Sequence, residues 1–145
     1  MSESVRMCKL EDAEQLCMII RDELGYTDIT ADSVRSSLQE MLGSDDYFTL
    51  AVVEDSGEIC GFITSVREVS LEIGKYYRIL ALAVKKEYQR QRLGTTLITL
   101  VESKARVDGA ALVTLSSQFK RTEAHEFYEK LGYEKTSFAF KKKFV

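Results

Sequence analysis

The stretch Gln89-Arg90-Gln91-Arg92-Leu93-Gly94-Thr95 carries the residues whose types and spacing have the clearest chemical use in this chain. It follows an unbroken apolar run, Ile79 to Val84, and it opens a segment with helical apolar spacing. The first backbone N–H groups of a helix have no partner inside it and carry partial positive charge, so anions bind well there. Arg90 and Arg92 place two guanidinium groups beside those donors. The chemistry this suits is the grip of a phosphate-bearing ligand at a strand-to-helix turn.

The elements that position this turn read as follows. Val5 to Lys9 is a short strand, and Asp12 to Leu24 a helix with Ala13, Leu16, Cys17, Ile20 and Leu24 on one face. Asp12 and Gln15 have capping-pair spacing, and Gly25 supplies a stop. Asp32 to Leu42 is a second helix, ended by Gly43. The period then changes. Tyr47 to Glu54 and Ile59 to Val69 are strands joined by a turn at Asp55 to Glu58, and a further turn near Gly74 leads into a strand over Tyr76 to Val84. A long helix to about Val107 buries Leu93, Leu97, Leu100, Val101 and Ala105, and Asp108-Gly109 ends it. Ala110 to Ser116 is a strand, Thr122 to Leu131 a helix, and Tyr133 to Phe144 one or two closing strands. This order is an antiparallel meander followed by one βαβ crossover, hence a mixed α+β sheet.

Composition narrows the function. A chain of 145 residues is a single domain, 1–145, able to bury roughly two-thirds of its unfolded surface without metal or disulfide. A net charge of −3 argues against nucleic-acid or acidic-membrane partners, and no G-x-x-x-x-G-K-S/T stretch is present. No segment approaches the roughly 18 apolar residues of a membrane helix. Cys8, Cys17 and Cys60 are odd in number and each lies among apolar residues, the usage of reduced core thiols. The first residues are polar and lack a signal-peptide core. The cytoplasm is the expected location. His125, the single histidine, lies one residue off an apolar helical stripe and reads as surface; no metal site is expected.

Two motifs then carry a resemblance. Gln89-Arg90-Gln91-Arg92-Leu93-Gly94 is similar to the acetyl-CoA-binding consensus Gln/Arg-x-x-Gly-x-Gly/Ala of the GCN5-related N-acetyltransferase (GNAT) superfamily, with Leu82-Ala83-Val84 ahead of it. Ala124 to Tyr133, AHEFYEKLGY, is similar to the second family signature, A-x-x-F/L-Y-x-K-x-G-F/Y. The element order agrees over essentially the whole chain. One departure stands out: Arg92 occupies the position of the first consensus glycine.

The resemblance implies a GNAT-like, mostly antiparallel twisted sheet of six or seven strands with one parallel pair and about four helices. It implies acetyl-CoA as cofactor, with N–H groups from Gln91 to Thr95 wrapping the diphosphate and Leu82, Ala83 and Val84 pairing with the pantetheine arm at a bulge in strand four. Gln89, Arg90, Arg92, Leu93, Gly94, Ser116, Arg121, Ala124, Phe127 and Tyr128 belong to the same implied cofactor set. Tyr128 matches the family tyrosine that protonates the departing thiolate. Its spacing with Ala124, Phe127 and Leu131 equally describes a packed helical face. Arg121 reads either as a cofactor contact or as a solvated charge.

The implied reaction is direct acetyl transfer to a primary amine of a small molecule or peptide, by a monomer or homodimer. Relatives carry a Glu in strand four as general base; Ile79, Leu80 and Ala81 offer none here. Tyr26, Tyr47, Glu72, Tyr76 and Tyr77, with Asp28, are the candidate acceptor-binding residues, acidic and aromatic enough for a cationic amine. The alternative is an acyl-CoA-binding sensor of the same fold with catalysis lost.

Overall fold

The computed structural model describes residues 3–118 and 121–144. Its main elements are β1 (Glu3–Met7), α1 (Ala13–Leu24), α2 (Ala31–Leu42), β2 (Tyr47–Glu54), β3 (Ile59–Ser70), β4 (Gly74–Val84), α3 (Leu93–Val107), β5 (Val113–Leu115) and α4 (Thr122–Lys130). The strands form one sheet in the order β1-β2-β3-β4-β5. Pairing is antiparallel from β1 through β4. β5 is approached in parallel with β4: Ala111 N–H donates to Lys75 O at 2.8 Å, and Tyr77 N–H donates to Leu112 O at 3.1 Å. The mixed α+β architecture read from the sequence is therefore the one observed. Among the described residues no helix is long and apolar enough to cross a membrane. The chain groups into two compact units, Met1–Thr114 and Leu115–Val145, the second holding α4.

Local signals act as their chemistry dictates. Thr30 caps α2 by accepting from Ser33 N–H at 3.1 Å, and Ser33 Oγ accepts from Thr30 N–H at 3.0 Å. Gly25 takes the left-handed conformation that ends α1, at φ 78°. Leu16 and Ile19 of α1 and Leu38 of α2 pack with Ala51, Val53, Phe62 and Ala83 on one sheet face. On α3, Leu93, Leu97, Ile98, Val101 and Ala105 are buried, and the helix packs on β2, β3 and β4. Burying a side chain such as Leu97 is worth about 1.5–3 kcal/mol, so these two layers dominate the first unit's stability.

Three expectations are corrected. The described strands number five, not six or seven: no strand occurs after α4 among the described residues, and Phe140 and Phe144 are exposed. Aromatic residues such as Phe138 and Phe140 two positions apart are not enough, because a strand exists only where its N–H and C=O groups find a ladder. Leu100 lies at the rim of α3, 36% exposed, since the buried stripe is centred on Leu97 and Val101. Asp12 and Gln15 do not form a capping pair. Asp12 Oδ1 and Oδ2 accept from Arg6 at 2.9 and 2.8 Å, and Oδ2 also accepts from Lys9 N–H at 2.7 Å. Gln15 instead reaches the β2–β3 turn, accepting from Ile59 N–H at 2.8 Å. A charge-assisted fork outcompetes a neutral cap.

The crossover has its own anchor. Asp108, just past α3, accepts from Tyr77 OH at 3.0 Å, Arg67 Nε at 3.2 Å and Lys75 Nζ at 3.2 Å. The Tyr77 hydroxyl and then Lys75 hold the Asp108 carboxyl below its ordinary range. Tyr77 is pushed up to about 12, by burial and then by Asp108. The end of α3 is thus tied to the strands on either side of the β3–β4 turn.

Two stability predictions follow from this packing. A methyl group on Gly61 would lie 2.9 Å from Ala83 O and 3.1 Å from Val84 Cγ2, so Gly61→Ala should cost about 1–3 kcal/mol in urea unfolding. For Asp12, burial pushes the carboxyl up, but the Arg6 and Lys9 hydrogen bonds outweigh it and leave the group below its usual value. A lowered folded-state pKa contributes stability above the unfolded value, about 3.9, and loses it as pH falls. Asp12→Asn should therefore be about 1–3 kcal/mol less stable than the parent at pH 7, and the gap should close in melts below about pH 4.

Candidate functional site

The turn from β4 to α3 is built by donors and carboxylates from three other elements. Lys85 N–H donates to Cys60 O at 2.8 Å, holding the end of β4 to β3. Glu23 at the end of α1 accepts from Lys86 N–H at 3.1 Å and from Gln89 Nε2 at 3.4 Å. Gln89 Nε2 also donates to Val84 O at 3.0 Å, so its side chain closes the strand end. Tyr88 OH donates to Glu54 Oε2 at 2.5 Å, which pushes the phenol well above its ordinary pKa. Lys85 Nζ donates to Glu58 Oε2 at 2.9 Å. The three carboxylates that contact the turn are all engaged.

Beyond Gln89 the backbone is strained. Arg90 and Arg92 have φ of 71° and 62°, the left-handed region that favours glycine. Arg92 is the residue that begins α3, and its carbonyl accepts from Thr96 N–H and Thr96 Oγ1, both at 3.0 Å. Among the described residues, Leu93, Gly94 and Thr95 N–H find no acceptor, as expected of a first helical turn. Nor does any described carboxylate pair with the Arg90 or Arg92 side chains, which are exposed with Gln91. Leu93 is buried and fixes the helix start. These groups, N–H donors without acceptors, a helix dipole and two guanidiniums without described carboxylate partners, have the chemistry that suits an anion.

β4 enters this turn after a bulge. Thr64 pairs with Ala81 and Ser65 with Ile79, so Leu80 is the extra residue on β4. Ala83 is buried toward α1, whereas Leu82 and Val84 are half-buried. The bulge also changes which residues share a face. Above it Ala81 and Ala83 lie with Phe62; below it Tyr76 and Arg78 lie on that same face, opposite Glu68 and Val66. Tyr47, opposite Val66, joins them.

The structure therefore sorts the candidate acceptor residues. Tyr47 and Tyr76 share one half-buried sheet face. Tyr77 lies on the other, buried beneath α3 with its hydroxyl on Asp108. Tyr26 is exposed in the turn after Gly25, and Glu72 is exposed in the β3–β4 turn. Glu68 and Arg78, joined by an ion pair of 3.0 Å, share the face of Tyr76 and were missed by sequence reasoning. No sequence signal marks them, because strand parity on either side of an unseen bulge is ambiguous. The first unit also has two open hollows, of about 370 Å³ beside Met41, Tyr47 and Lys104 and about 450 Å³ beside Cys17, Arg21 and Asp22; neither includes a residue of the β4–α3 turn.

In the second unit, Arg121 caps the start of α4 and is exposed; its N–H donates to Gln118 O at 3.1 Å. His125 Nε2 lies 2.8 Å from the same carbonyl. Ala124 and Phe127 are half-buried and Ser116 is exposed. Tyr128 packs edge-on against Phe127 and Tyr133, with ring centroids 5.4 and 6.2 Å away. Burial raises its hydroxyl pKa, against the opposing charge of Arg121.

Comparison with known proteins places this geometry. The model of the acetyltransferase (GNAT) family matches residues 12–133. The chain is 30% identical to aminoalkylphosphonate N-acetyltransferase of Salmonella typhimurium, over 88% of this chain and 79% of that protein. It is 28% identical to S-alkylcysteine N-acetyltransferase of Bacillus subtilis, over 89% and 77% respectively. A crystal structure of a GNAT family acetyltransferase from Staphylococcus aureus superposes with a TM-score of 0.78 at 25% identity, over 99% of both chains. Two sequence motifs, one sheet order and a family match over most of its length agree: this chain belongs to the GNAT acetyltransferase family.

Proposed function

We propose that the protein is an acetyl-CoA-dependent N-acetyltransferase that passes the acetyl group directly to the primary amine of a small molecule. The observation that carries this reading is the start of α3, where Leu93, Gly94 and Thr95 N–H lack acceptors and Arg90 and Arg92 lack carboxylate partners among the described residues. These groups fit a diphosphate, and the neighbouring carboxylates are engaged elsewhere. When bound, the coenzyme supplies an acyl group activated as a thioester.

Under this reading the chain's own groups divide the work. N–H groups from Gln91 to Thr95 hold the diphosphate, and Gln89, by bonding Val84 O, sets the angle at which β4 enters the turn. The backbone of Leu82, Ala83 and Val84 offers donors and acceptors to the pantetheine amides. Ser116, Arg121, Ala124 and Phe127 complete the cofactor set. Tyr128, like any phenol of pKa about 10 or above, keeps its proton at neutral pH and so serves as acid to a departing thiolate. A thiol of pKa about 8.5 leaves readily, so a weak acid suffices. The amine must lose a proton before it attacks, and water takes it in this reading, since Ile79, Leu80 and Ala81 bear no carboxylate. The acceptor class we infer is a small amine that also carries an anionic group, as the phosphonate and cysteine derivatives named for the two relatives do.

Arg92 in place of glycine favours a second reading, a coenzyme-binding sensor without turnover. One measurement tests the coenzyme binding that both readings require, and a second separates them. Acetyl-CoA or CoA at 100 times its Kd should add about 2.7 kcal/mol of stability, and ATP should not. Release of free thiol with an amine panel should then be seen only for the transferase, and Tyr128→Phe should slow it about tenfold to a hundredfold with unchanged cofactor Kd. Unchanged turnover would return Tyr128 to a packing role.

Arg92→Gly tests the cradle itself. A left-handed non-glycine residue costs about 1–2 kcal/mol, offset in part by glycine's greater backbone entropy. The variant should gain about 1 kcal/mol in chemical unfolding and keep the CoA-induced stabilisation, because the grip is main-chain. Loss of that stabilisation would assign the grip to the Arg92 side chain.

A further inference from the structure

We infer that Arg78 is the specificity residue for the acceptor, binding the phosphonate or carboxylate of a small zwitterionic amine on the uncovered face of β3 and β4. The inference rests on the transferase reading for the amine's fate and deepens it by naming the group that chooses the substrate.

The position follows from the bulge. Leu80 is the extra residue of β4, and it makes Arg78 and Tyr76 share a face with Ala81 and Ala83. Arg78 precedes Leu80 by two residues, a rise of roughly 7 Å along the strand. That is the scale of a small molecule with an amine at one end and an anion at the other. The half of this face around Phe62 and Ala83 is covered by α1 and α2. The half around Arg78 and Glu68 is open: their side chains are 37% and 36% exposed.

The chemistry of the group is specific. Glu68 Oε1 takes Arg78 Nε at 3.0 Å, and the guanidinium carbon lies 5.9 Å from the Tyr76 ring centroid. The side chain is therefore held by an ion pair and by a cation–π contact. A guanidinium has five N–H donors in a planar fork, so the pair with Glu68 leaves donors for a second anion. Phosphonate and carboxylate are the anions that fork matches. Glu68 stands opposite Tyr76, on the far side of Arg78 from Leu80, so it steadies the guanidinium from behind while the amine end lies toward Leu80. A polyamine would meet Arg78 as a like charge, and an amine without an anion would leave the free donors of the fork unused.

The test is a calorimetric titration of the CoA-loaded protein with 2-aminoethylphosphonate, with ethanolamine (the same amine without the anion) and with spermidine. The phosphonate should bind at least tenfold more tightly than either, the scale of one charge-assisted contact. Arg78→Gln should erase that preference while CoA affinity and melting temperature hold, and Arg78→Lys should restore part of it. A merely structural cross-strand pair would move melting temperature and leave the preference intact. Ethanolamine or spermidine binding as tightly as the phosphonate, a preference that survives Arg78→Gln, or no binding of any anionic amine would overturn the inference. Thiol release from acetyl-CoA in the same samples reads the transferase separately: selective binding with no release on any amine would sink the catalytic reading and leave the Arg78 site standing.

Discussion

The first turn of α3 cannot bond to itself, and nothing described around it bonds to it either. That constraint shapes the whole β4–α3 passage. Buried Leu93 and Leu97 fix where the helix must start. Cys60 and Gln89 fix where β4 must stop. The few residues between these anchors have to reverse the chain, and they do it with two arginines at positive φ. Strain of this kind persists only where the surroundings over-determine it. Here Glu23, Glu54 and Glu58 supply the determination, each carboxylate holding a donor of the turn. The same three contacts have an electrostatic effect: they spend negative charge that would otherwise repel an anion.

The sheet behind this turn has two working faces. One is packed by α1 and α2 around Phe62 and Ala83, and the other by α3 through Leu97, Ile98 and Val101. β4 belongs to both. Below Leu80 its odd-numbered residues, Tyr77 and Ile79, serve the α3 side; above Leu80 the odd-numbered Ala81 and Ala83 serve the α1 side. Asp108 locks the lower half by gathering Tyr77, Lys75 and Arg67 at the end of the crossover. The bulge and the Asp108 cluster together let one strand hold a packed core and present an open polar surface.

Much of this was legible in the sequence. Helical spacing gave α1 through α4, and Gly25 marked the end of α1 because no other residue takes that conformation as cheaply. The Gln89–Thr95 turn from strand to helix was legible because helix starts and glycine-bearing turns have a local chemistry. What was hidden is what depends on partners far along the chain. Asp12 looked like a cap until Arg6 claimed it. Tyr77 looked like a neighbour of Tyr76 in use, yet alternation sends it to the opposite face and onto Asp108. Arg78 and Glu68 could not be placed at all without the register that Leu80 shifts. The closing strands failed for a related reason: alternation in 133–144 says nothing about whether a ladder is there.

Leu80 has one more implication. Because a lone inserted residue reverses the in–out alternation, the two ends of β4 are read in different frames. Substitutions at 76 and 78 alter a solvent-facing wall, while those from 81 to 84 alter the approach to α3, and neither disturbs the other's packing. Such a strand lets the surface at one end change without altering the packing at the other. Drawing Leu80 into the ladder as a paired residue would turn one end of the strand over, sending Arg78 beneath α3 and Tyr77 out to water, whereas deleting it would leave both on their present faces.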